Sequence, residues 1–150
     1  MNYTHSFAIS AAGMDVERTR VEVATLNLAN AHAVQGTAGQ RYEPLRVIAH
    51  AAAPDAFAGL VDEGMEGAAV ARASGPSMHV VPIDAGPRRV HEPGHPMADE
   101  RGFVDYVNVD PAAEMVSLMR ATRAYEANIA AMNTTRMLAL RALEIGGPNA

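Results

Sequence analysis

The chain has 150 residues, enough for one domain, and a formal charge of −5 with its 12 basic residues scattered along the sequence, a balance that argues against a nucleic-acid partner. It has no Cys, no Trp, 5% aromatic residues and 9 Met, which excludes disulfides and thiolate zinc sites and favours contacts between helices over a bulky aromatic core. No apolar run approaches the roughly 18 residues that span a bilayer, and the start MNYTHSFAISAAGMDVERTR lacks the basic n-region of a Sec-type signal peptide and soon becomes charged.

The first element in chain order is a helix. From Phe7 the apolar residues recur every seven positions, at Met14, Val21 and Leu28. Ala11, Ala24 and Ala31 widen that stripe, and Asp15, Glu17, Arg18, Arg20 and Glu22 fall largely outside it. The pattern predicts a long amphipathic helix over residues 3–31. It ends near NLANAHAVQGTAG, where Asn30 could cap the C-terminus. Asn27 and Asn30 lie three apart on one face, so both could bond to a partner subunit, or Asn30 could simply cap its own helix.

The middle of the chain reads as short strands bounded by Gly or Pro. Candidates are residues 41–51, 68–73, 78–83, 88–92 and 102–109. Residues 51–67, rich in Ala and Gly, read as a loop. Within this region HEPGHP at 91–96 matches the letters of the zinc-protease pattern H-E-x-x-H. That chemistry needs both histidines on one helical face, and Pro93, Gly94 and Pro96 oppose a helix there. The segment is expected to be a turn, and His5, His32, His50 and His79 have no ligand-like companions at helical spacing.

A second long helix follows. Asp110 is a suitable N-cap, Pro111 suits the first helical position and Glu114 suits the first turn. Heptad positions run Met115, Thr122, Ile129, Arg136 and Leu143, with Leu118, Tyr125, Met132 and Ala139 three residues after the first four. Helix is predicted from Pro111 to about Ile145, where GGP stops it, a span of roughly 50 Å at 1.5 Å per residue. Two heptad-patterned helices at opposite ends of a chain can pair with each other. The expected fold is therefore mainly α: terminal helices paired as a discontinuous coiled coil, with a small irregular β-rich middle. The divisions are an N-terminal helix (1–35), a middle segment (36–109) and a C-terminal helix (110–150).

Three stretches carry a family resemblance. LNLAN (26–30), PGHPMADERGFVDYVNV (93–109) and the helix EMVSLMRATRAYEANIAAMNTTRMLALRALEIG (114–146) together resemble the axial rod proteins of the bacterial flagellum, with RAYEAN at 123–128 the most recognisable part. Residues 49–77 depart most from that pattern. The resemblance implies a structural subunit without catalytic activity or cofactor. It implies passage through the flagellar export apparatus without a cleaved signal peptide, and assembly with other rod proteins and copies of itself into the rod that crosses the periplasm. No nucleic acid or membrane insertion is implied. The residues expected between subunits are Phe7, Met14, Val21, Asn27, Leu28 and Asn30 on the first helix. On the second they are Met115, Leu118, Arg123, Tyr125, Glu126, Asn128, Ile129, Met132 and Leu143. A soluble coiled-coil adaptor that binds a partner helix without polymerising is the alternative from another class, and a metallohydrolase built on His91, Glu92 and His95 is a third.

Overall fold

The computed structural model describes residues 3–35, 41–50 and 76–145. In chain order they form α1 (Tyr3–Asn30), β1 (Leu45–His50), β2 (Ser77–Pro82), β3 (Arg88–His91), β4 (Phe103–Tyr106) and α2 (Pro111–Ile145). The architecture is mainly α, two long helices with a small β-containing middle, as expected. The loop assigned to 51–67 and the candidate strand at 68–73 lie outside the described residues.

Local chemistry accounts for the helix limits. At the start of α2 the Asp110 carboxylate accepts from the N–H of Ala112 at 2.9 Å and of Ala113 at 3.4 Å, satisfying donors that the first helical turn cannot pair. Pro111 gives up nothing at that position, because its missing N–H would have had no helical partner. At the end of α1 the Asn30 amide donates to the Leu26 carbonyl at 2.8 Å, so its side chain turns back on its own helix.

The strands form two two-stranded sheets, β1 with β2 and β3 with β4. The second is antiparallel, with Arg88 opposite Tyr106 and His91 opposite Phe103. Gly102, just before β4, has φ of 75°, and a side chain there would press within 3.0 Å of Pro93 Cβ. Only glycine fits that turn without strain.

The chain divides into two compact units, and both long helices contribute to each. One unit contains Thr19–Ile48 and Val80–Ala121. Its core is small: Ala31, Val107 and Val109 pack together, with Ala33 and Tyr42 against them. The segment after α1 adds to β4, Gln35 N–H donating to the Asp105 carbonyl at 2.7 Å and Val107 N–H to the Ala33 carbonyl at 3.1 Å. The other unit contains residues 1–18, 49–79 and 122–150. There Ser10 and Val16 are buried on α1, and Gly13 sits so close to Asn128 of α2 that an added Cβ would meet its amide at 2.9–3.1 Å. Small side chains let the two backbones approach at that point.

Candidate assembly surface

Side-chain burial along α2 separates two faces. In the unit containing its N-terminal part, Glu114, Leu118 and Ala121 are shielded, while Met115, Val116 and Met119 are exposed. In the other unit, Tyr125, Asn128, Met132, Thr135 and Ala139 are half-buried, while Ile129, Met137, Leu138, Leu140, Leu143 and Ile145 are exposed. Leu143 is 72% exposed and Ile145 78%. In each unit, large apolar side chains of α2 thus stand in water.

The heptad expectation is thus half corrected. Leu118, Tyr125, Met132 and Ala139 are shielded as expected of a seam. Met115, Ile129 and Leu143, expected with them, face water, as do Thr122 and Arg136, which interrupt the apolar heptads, and the positions one residue earlier, Glu114, Ala121, Asn128 and Thr135, take the shielded places. The physical reason is size and hydrogen bonding. Ala121 lets packing elements come close, Asn128 fits the space that Gly13 leaves open, and Glu114 accepts a hydrogen bond from α1.

On α1, Phe7, Met14, Val21 and Leu28 are all half-buried. Asn27 has a use other than the one expected. It is 1% exposed, and its amide is engaged inside the chain. Its Nδ2 donates to the Leu45 carbonyl at 2.9 Å and to Glu114 Oε1 at 3.2 Å, while its Oδ1 accepts from the Tyr42 hydroxyl at 2.8 Å and the Leu45 N–H at 2.9 Å. One side chain thereby ties α1, the approach to β1 and the first turn of α2. Burial, with the Glu114 charge adding, raises the Tyr42 pKa. Spacing within the helix could not reveal this role, because the partners lie 15, 18 and 87 residues away. Arg123 and Glu126 are exposed.

The HEPGHP segment is a turn in which His91, Glu92 and His95 are engaged. The Glu92 carboxylate accepts from the Tyr106 hydroxyl at 2.8 Å, a bond that holds the phenol above its ordinary pKa. The His91 ring meets Phe103 edge-on at 4.9 Å, and His95 Nδ1 accepts from the Met97 N–H at 3.1 Å. Asp99 closes the following loop by accepting from the N–H groups of Phe103 and Arg101, each at 2.8 Å. Those bonds, that of Phe103 foremost, hold its carboxyl below the usual range, so this contribution to loop order is present at neutral pH and fades as pH falls through the lowered value. Among the described residues no group of three or more His, Cys, Asp or Glu is placed to hold a metal ion, and no helix is long and apolar enough to cross a membrane.

Comparison with known proteins places this geometry. Residues 100–145 match the family described as the flagellar basal body rod FlgEFG protein C-terminal, a span that takes in β4 and all of α2. The flagellar basal-body rod protein FlgC of Salmonella typhimurium is 36% identical over 140 residues, covering 93% of this chain and 95% of that protein. FlgC of Yersinia enterocolitica is 34% identical over 146 residues, covering 97% and 99%. FlgC of Bacillus subtilis is 32% identical over 149 residues, covering 97% and 99%.

Proposed function

The chain belongs to the family of flagellar basal-body rod proteins FlgC, and from that premise we propose that it builds the proximal rod by packing the exposed apolar face of α2 against neighbouring subunits. The family is structural, so the protein is a rod subunit of the flagellar basal body and not an enzyme. Its assembly partners are other rod components, and copies of itself among them. It reaches the periplasmic part of the rod through the flagellar export apparatus, and neither nucleic acid nor membrane insertion enters its work.

Within the subunit, the pairing of α1 and α2 is that of a discontinuous coiled coil. Two contacts support this. Gly13 approaches Asn128 in one unit, and Asn27 bonds Glu114 in the other, so each unit by itself brings α1 against α2. Residues 1–35, 36–109 and 110–150 then act as parts of one axial unit.

The observation that carries the assembly reading is the row from Met115 to Ile145 that faces water. A heterologous contact through such a row, repeated by a rotation that does not close, gives a helical rod and not a closed ring. The residues proposed between subunits are therefore Met115, Ile129 and Leu143, with Arg123 and Glu126 beside them and the half-buried Phe7, Met14, Val21, Leu28, Leu118, Tyr125 and Met132 at the margins. Asn27 does not belong to this set, since its amide is used within the chain; Asn30 and Asn128, which bond back to their own helices, support its edges. An epitope-tagged copy expressed in a flagellated host should co-purify with basal bodies stripped of filament and hook. Recovery only in the soluble fraction, bound to a partner helix, would establish the adaptor instead.

A further inference from the structure

Two histidines to which the rod reading gives no role meet across a pair of strands. His50 closes β1 and His79 lies in β2, the strand paired with it. Their ring centroids are 6.2 Å apart with the planes tilted by 57°, and both residues are exposed. We propose that His50 and His79 form a two-point chelate for a borderline divalent transition cation, with water completing the coordination shell.

The argument is geometric. A cation bound at about 2 Å to one nitrogen of each imidazole fits between rings at this spacing after small side-chain rotations. Exposure leaves the rings free to turn and leaves room for the waters that a site with only two protein ligands requires. The donor set selects the metal: neutral imidazoles suit copper, nickel and zinc, whereas magnesium and calcium demand oxygen. Copper should bind more tightly than nickel at this site. A bound ion would clip β1 to β2 across the 28 residues that separate the two histidines in sequence, and a clip that closes so long a connection stabilises the paired strands. Helical ligand spacing does not reveal this pair, because the two residues meet across strands.

Tag-free full-length protein titrated with nickel chloride in a non-chelating buffer tests this by isothermal calorimetry. One ion should bind per chain. His50→Ala and His79→Ala should each weaken binding by about a hundredfold, because losing either ring removes the intramolecular second ligand. The double variant His91→Ala with His95→Ala should bind as the parent does, and the circular dichroism of the His50→Ala and His79→Ala proteins should match the parent, since those rings are exposed. Stoichiometric binding that survives His79→Ala, or an absence of binding in the parent, would overturn the proposal. Neither result bears on rod assembly, which rests on other residues.

Discussion

At the scale of single residues, polar side chains decide where the helices meet. Asn27 is nearly inaccessible and makes four hydrogen bonds to three other residues, so its removal strands both backbone groups of Leu45 together with the Tyr42 hydroxyl. Asn27→Ala should therefore lower stability by roughly 2–3 kcal/mol, the cost of leaving partly buried polar groups unpaired. Thermal melts followed by circular dichroism check this, and an unchanged midpoint would show that Asn27 fixes nothing. Gly13 and Asn128 make the matching contact in the other unit. This level was poorly legible in the sequence. An Asn inside an amphipathic helix signals some hydrogen bond, but its partners come from tertiary structure, and the expectation of a subunit contact at Asn27 followed from that gap.

At the scale of elements the sequence was far more informative. Asp110 and Pro111 set the start of α2 by a mechanism that is local, and the observed helix begins there. The four strand candidates that fall among the described residues contain strands, because Gly and Pro on their flanks leave few alternatives. The seam register of α2 was only half legible. Both the row from Glu114 and the row from Met115 repeat every seven residues, and hydrophobicity favours Met115, Ile129 and Leu143 as the inner set. Close approach instead favours Ala121, Asn128 and Thr135, and the large apolar residues are left outside. The two rows should respond differently to charge. Met132→Asp places a carboxylate in a half-buried position and should destabilise the isolated protein by roughly 1–3 kcal/mol. Leu143→Asp, at an exposed position, should stay within about 0.5 kcal/mol of the parent. Urea unfolding of both variants makes the comparison, and equal losses would place Leu143 inside the fold.

At the scale of the whole molecule the balance of surfaces points outward. Its fully buried side chains are small, the largest among the described residues being Val104, Val107 and Asn27, while large apolar residues stand in water along α2. Such a chain buries little apolar surface alone and gains more on joining others, the expected economy of a subunit whose working state is a polymer. The chain belongs to a rod family, and the exposed residues between Met115 and Ile145 are the contact proposed for it. The central claim is that this row, and not the inner seam, joins neighbouring subunits. It is tested most directly by quantifying the subunit in basal bodies purified from a strain that lacks its own copy and carries Leu143→Asp, with Glu144→Ala as the neighbouring control. The Leu143→Asp protein should fold and accumulate in the cell but be missing from the rod, with swimming lost, while Glu144→Ala should incorporate at the parental level. Incorporation of Leu143→Asp at the parental level, with normal swimming, would contradict it.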